Sequence, residues 1–167
     1  MRVPIGLTSR TALTAIFAIF IVIVPNKAVA DATVFAGTNT MTPHGWARGF
    51  SAGLTLLNLG FEVEYANAGE DKSQRTPGLQ TGMVNVLVQT PMTSNGFQFY
   101  ATTGGGLYRE RLSDVQETHV GLNAGGGLKI RLTGQIRARI DYRVFSLRGA
   151  PIHSRPHRIY AGLNLAF

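Results

Sequence analysis

Apolar side chains alternate with small or polar ones from residue 46 onward, in segments of about ten residues. A period of two belongs to extended strands, whose successive side chains point to opposite faces. The clearest run is residues 118–132. Val120, Leu122, Ala124, Gly126, Leu128, Ile130 and Leu132 fall in one phase, and His119, Gly121, Asn123, Gly125, Gly127, Lys129 and Arg131 in the other. Residues 136–144 follow, with Ile136, Ala138, Ile140, Tyr142 and Val144 against Arg137, Arg139, Asp141 and Arg143. Thr133-Gly134-Gln135 between them predicts a tight hairpin turn. The last segment, residues 158–167, sets Ile159, Ala161, Leu163, Leu165 and Phe167 against Arg158, Tyr160, Gly162, Asn164 and Ala166.

Noisier alternation marks residues 50–56, 59–65, 84–88 and 97–103, and a short first strand is expected near residues 32–37, for a total of eight. Connections near Asn58, at residues 90–95 and at residues 133–135 are short. Those at residues 38–45, 67–77, 110–116 and 148–156 are longer and more polar. Short turns at one end and long loops at the other are the build of outer-membrane barrels, whose tilted strands need about 9–11 residues to cross the bilayer. The expected fold is all-β: an eight-stranded antiparallel up-and-down transmembrane β-barrel, preceded by a signal peptide.

The leader is residues 1–30. Arg2 and Arg10 give a basic start, residues 11–24 an apolar stretch, and Ala28-Val29-Ala30 a small-x-small cleavage site. The mature barrel domain would then be residues 31–167. An uncleaved anchor is the alternative, but the apolar run is shorter than the ~20 residues that span a bilayer as a helix. The leader holds three of the cations, Arg2, Arg10 and Lys27, so removing it lowers the net charge from +7 to +4. No basic block remains to suggest nucleic acid as a partner. The absence of cysteine excludes a disulfide framework, a thiolate metal site and a lipoprotein anchor.

Alternation does not say which phase faces outward. A soluble carrier barrel would place the apolar phase inside, around a ligand. The polar phase, however, carries Glu62, Glu64, Lys129, Arg137, Arg139, Asp141 and Arg143. These can pair across an interior only wide enough to be filled by side chains. Glu62 and Glu64 are expected to face Lys129, Arg137 and Arg139 across the lumen, as a solid polar plug or as the gate of a narrow pore.

Three stretches carry a family resemblance: Thr102-Thr-Gly-Gly-Gly-Leu-Tyr108, residues 122–142, and the terminal Arg158-Ile-Tyr-Ala-Gly-Leu-Asn-Leu-Ala-Phe167. They resemble the β-barrel domain of OmpA/OmpX-like outer-membrane proteins. That resemblance implies a bacterial outer-membrane location, with the membrane's lipids and lipopolysaccharide as neighbours. It also implies a C-terminal strand read by the barrel-assembly machinery through Tyr160, Leu163, Leu165 and Phe167.

The glycine triplets at residues 104–106 and 125–127 lack the Lys-Ser/Thr and the helix of a phosphate loop, so crowding between neighbouring strands is the expected reason for them. The long-loop end is basic, with Arg109, Arg111, Arg148, Arg155, Arg158, His153 and His157; Arg148 and Arg155 are the candidates for lipopolysaccharide phosphate. Trp46, Tyr65, Tyr108, Phe145 and Phe167 fall near strand ends, where aromatic girdles sit. Catalysis would need a Ser or His with a carboxylate partner; His153-Ser154 and His119 show none in the sequence. No His/Asp/Glu set has metal-ligand spacing, and no cofactor is expected. The reading is a non-enzymatic barrel with a structural or surface-interaction role through its loops, whose ligand the sequence leaves open. A narrow pore or small-solute transporter, a lipid A-modifying enzyme and a soluble periplasmic carrier are the alternatives.

Overall fold

The computed structural model describes residues 28–39, 46–70, 77–112, 115–149 and 155–167. The leader residues before Ala28 and the loop pair His153-Ser154 lie outside them. Eight strands follow in order: β1 (Ala28–Asn39), β2 (Trp46–Leu56), β3 (Leu59–Ala68), β4 (Gly78–Gln89), β5 (Phe97–Leu112), β6 (Val115–Thr133), β7 (Ile136–Leu147) and β8 (His157–Ala166). Each pairs antiparallel with the next, and β1 pairs with β8 to close the barrel. Closure leaves no sheet edge unsatisfied in hydrocarbon, which is the condition for strands to cross a membrane.

Two expectations are corrected. The first strand is not a short segment at residues 32–37 but runs the 12 residues of β1, and its ladder with β8 is complete from Asp31↔Ala166 to Asn39↔Arg158. It was hard to read because Ala32, Ala36 and Thr38 weaken its outward phase while Phe35 points inward and is buried. Residues 110–112 and 115–116, expected in a loop, instead continue the β5–β6 ladder through Glu110↔Glu117, Arg111↔Gln116 and Leu112↔Val115. At ~3.3 Å per residue the 16 residues of β5 and 19 of β6 exceed what a bilayer requires, so this hairpin projects beyond it. The last large apolar pair on its outer face is Leu107↔Val120, and the next is Arg109↔Thr118.

The expected cleavage point, between Ala30 and Asp31, falls inside β1. The ladder with β8 starts at Asp31, so cleavage there would remove only the pairs of Ala28–Ala30 with β2 and the two backbone bonds between Ala30 and Phe167.

The phases sort as a membrane requires. Val34, Phe50, Val63, Val84, Val88, Phe99, Ile159 and Leu163 are each more than half exposed, whereas Arg139, Asp141 and Arg143 have no exposed surface. Apolar outside and charged inside excludes the carrier arrangement, in which a ligand would meet an apolar lumen.

The β2–β3 turn, residues 57–58, holds the only non-glycine with positive φ among the described residues, Leu57 at 56°. The left-handed region costs an ordinary side chain about 1–2 kcal/mol, and glycine occupies it freely. Leu57→Gly is therefore expected to raise the urea midpoint of the folded barrel, by the equivalent of about 1 kcal/mol.

Candidate functional site: the lumen and the outer rim

The inward phase of all eight strands fills the lumen. Its centre is Glu62 on β3. The carboxylate accepts hydrogen bonds from the Arg139 guanidinium, from Arg143 Nη2 at 2.9 Å and from Ser51 Oγ at 3.0 Å. Asp141 lies beside the same arginines on β7, accepting from Arg143 Nε at 2.9 Å and Arg139 Nη2 at 3.2 Å. Tyr100 links the two sets: its hydroxyl donates to Asp141 at 2.5 Å and accepts from Arg139 Nε at 2.7 Å. Nearer the loops, Glu64 pairs with Arg143 Nη1 at 3.0 Å and with Arg158. Nearer the short turns, Asp31 pairs with Lys129 at 2.6 Å.

Four carboxylates, Asp31, Glu62, Glu64 and Asp141, thus meet four cations, Lys129, Arg139, Arg143 and Arg158. Each carboxylate has a cationic partner, the condition under which buried charge is tolerated. Toward the loop end the chemistry changes. Ala47, Ala68, Leu79, Met83, Tyr108, Phe145 and Leu147 form a buried apolar cluster. Arg158 separates the two zones, its guanidinium 4.8 Å from the centre of the Phe145 ring. Phe35 stacks on Tyr160 at 4.1 Å across the β1–β8 seam.

Of the residues expected to line the lumen, Glu62 and Arg139 meet directly, and Glu64, Asp141 and Arg143 belong to the same network. Lys129 makes its direct ion pair with Asp31 rather than with a glutamate, because β1 is longer than expected and carries that carboxylate into the lumen. Arg137 is half-buried near the short-turn end, and among the described residues no carboxylate is within 4 Å of it. Its neighbour on β6 is another cation, Arg131. Arg158, expected on the basic loop face, is buried in the lumen. Its phase with Tyr160 was the available signal, masked by its place at the end of the strand. Asp31 and Tyr100 were missed, and Tyr160 was expected only in the C-terminal signal, for a related reason: single positions in a pattern show a face but not a partner.

Tyr108 and Phe145 are not girdle residues. Each is 1% exposed and packs inside, and Tyr108 donates to the Arg148 carbonyl at 2.6 Å. Trp46, Tyr65 and Phe167 do face outward. Of the C-terminal set, Leu163, Leu165 and Phe167 face outward and Tyr160 faces the lumen. The glycine triplets lie on the neighbouring strands β5 and β6 but are offset along them, with Gly104 opposite Asn123, Gly125 opposite Thr102 and Gly127 opposite Tyr100. A side chain at Gly127 would put a Cβ 2.4 Å from the Tyr100 hydroxyl, so glycine there makes room for the network. Arg148 and Arg155 are exposed at the loop end.

A closed eight-stranded barrel with a neutralised charged interior and an apolar exterior defines the class of transmembrane outer-membrane barrels. The model of the outer membrane protein beta-barrel domain family matches residues 26–167. The chain belongs to that family, and its place is the bacterial outer membrane. Among solved structures it is similar to Neisserial surface protein A, at 19% identity and a TM-score of 0.64, over 84% of this chain and 96% of that one. It is also similar to the N-terminal β-barrel domain of Pseudomonas aeruginosa OprF, at 16% identity and a TM-score of 0.63, over 83% and 97% of the two chains. The attachment invasion locus protein Ail of Yersinia pestis aligns at 13% identity and a TM-score of 0.54, over 84% and 98%. These likenesses are of fold. The comparison with curated proteins gave no match.

Proposed function

We propose that the protein is a non-conducting, non-enzymatic barrel whose work is done on its outside, by its loops and its lipid-facing wall. The lumen supports this reading: a continuous ion-pair network is followed, toward the loop end, by a buried apolar cluster. An ion entering the lumen would have to displace buried, paired charges and then pass a cluster made mostly of apolar side chains. A surface role leaves the lumen with a structural task, holding eight strands in one register. The outer membrane enzyme PagL shares the fold at 11% identity and a TM-score of 0.50, and that likeness carries no active site across to this chain.

Planar-bilayer recording of the refolded barrel tests the reading. The expected result is a baseline equal to that of the bare membrane, at neutral pH and across the usual voltage range. Resolved, reproducible conductance steps would replace it with the narrow-pore alternative. Mass spectrometry of lipid A from cells with and without the protein addresses catalysis, and identical acylation patterns are expected.

The loops' contact with lipopolysaccharide through Arg148 and Arg155 belongs to the same proposal. So does the C-terminal strand as the segment engaged by the assembly machinery during insertion.

A further inference from the structure

One stretch of the lipid-facing wall is hollow. On β5, β6 and β7 the outward residues Thr103, Ala124 and Val144 stand side by side, and one step toward the loops Leu122 stands beside Ser146. Small side chains in the first row, and glycines next to it at Gly105 and Gly126, leave a groove of about 400 Å³. Leu122 and Val144 form apolar parts of its lining, and Arg155, just before β8, also lines it. Among the described residues no carboxylate is within 4 Å of the Arg155 side chain. At the same level Tyr142 and His157 make an outward pair, with the hydroxyl 2.5 Å from Nδ1.

A groove in the wall of a membrane barrel is filled by lipid. This one joins an apolar trough to the guanidinium of Arg155, at the end of the barrel that bears the long loops. That combination matches a phosphorylated lipid of the outer leaflet: an acyl chain covers the trough and a phosphate takes the paired N–H groups of arginine. The volume is near the lower end of the ~300–1,000 Å³ of small-molecule pockets, enough for part of one chain rather than a whole lipid. We propose that this groove seats one acyl chain of lipid A, with Arg155 holding the adjacent phosphate. The inference rests on the reading of the outer surface as the working surface, and narrows it to one place.

The test is native mass spectrometry of the folded barrel in detergent, titrated with purified lipid A and, separately, with phosphatidylglycerol. Wild type is expected to retain one lipid A molecule and to prefer it over phosphatidylglycerol. Arg155→Gln removes the cation, and Ala124→Leu fills the trough; each is expected to weaken retention roughly tenfold, the scale of one charge-assisted hydrogen bond. Arg48→Gln, an exposed arginine on β2 away from the groove, is expected to bind as wild type does. Folding of every variant is checked by the gel shift between boiled and unboiled samples, and Thr103→Leu replaces Ala124→Leu if the latter fails to fold. Equal retention of the two lipids, wild-type binding by Arg155→Gln and the trough-filling variant, or an equal loss in Arg48→Gln would each overturn the proposal. Conductance is a separate readout: a barrel that conducts yet loses lipid A in both groove variants would refute the non-conducting reading and leave the lipid site standing.

Discussion

Glu62→Gln is expected to lower the stability of the folded barrel by about 3–5 kcal/mol, the cost of removing one partner from a buried ion-pair set. Glu62 accepts from two arginines, Ser51 and, at 3.4 Å, Asn85 Nδ2. An amide in its place turns one acceptor into a donor and points it at groups that are already donors. It also leaves Arg139 and Arg143 sharing Asp141, with Glu64 as the other acidic partner of Arg143 among the described residues. The measurement is the urea midpoint of unfolding in lipid vesicles, with the boiling-dependent gel shift as a second readout. The double variant Glu62→Leu/Arg139→Leu removes one charge of each sign and is expected to cost less than the single change, since no survivor is stranded. A positive coupling energy in that cycle identifies the pair as cooperative. A single variant indistinguishable from wild type would mean that the network adds nothing to stability.

Gly127→Ala has the second largest expected effect, about 2–4 kcal/mol, combining overpacking of a full interior with loss of buried hydrogen bonds. The new Cβ would lie 2.3 Å from the Ile140 carbonyl oxygen and 2.4 Å from the Tyr100 hydroxyl. Tyr100 must then leave its position between Asp141 and Arg139, and the β6–β7 ladder must move at Gly127↔Asp141. The companion change Tyr100→Phe separates the two causes, because it removes the hydroxyl without crowding the wall. It is expected to cost about half as much. If Gly127→Ala were no worse than Tyr100→Phe, the backbone contact would be the softer of the two constraints.

Much of this protein follows from a period of two. The alternation in residues 118–132, 136–144 and 158–167 located β6, β7 and β8, and the charges confined to one phase of β3 and β7 indicated a polar interior. Membrane physics makes that pattern informative: one face of each strand must satisfy hydrocarbon and the other must satisfy its neighbours, so composition separates cleanly. The weak points were places where this pressure lapses. β1 faces lipid partly with alanine and threonine and puts Phe35 inside, so its length and the seam with β8 were underread. The β5–β6 hairpin leaves the bilayer, and beyond Leu107 and Val120 nothing requires its outer face to be apolar.

Pairing is the other gap. Sequence placed Glu62, Arg139, Asp141 and Arg143 inside, but which carboxylate meets which cation depends on strand tilt and stagger. These bring β1 beside β8 and put Asp31 within reach of Lys129. The same geometry moved Arg158 from the loop face to Glu64 and turned Tyr108 and Phe145 from an expected girdle into the apolar end of the lumen. The sequence by itself determined the strand count, the inside-out sorting and the membrane that suits it, because these depend on the chemistry of alternate residues. Only the tertiary structure decided the ion pairs, the apolar cluster at the loop end and the groove beside Arg155, because these depend on distances between side chains on different strands.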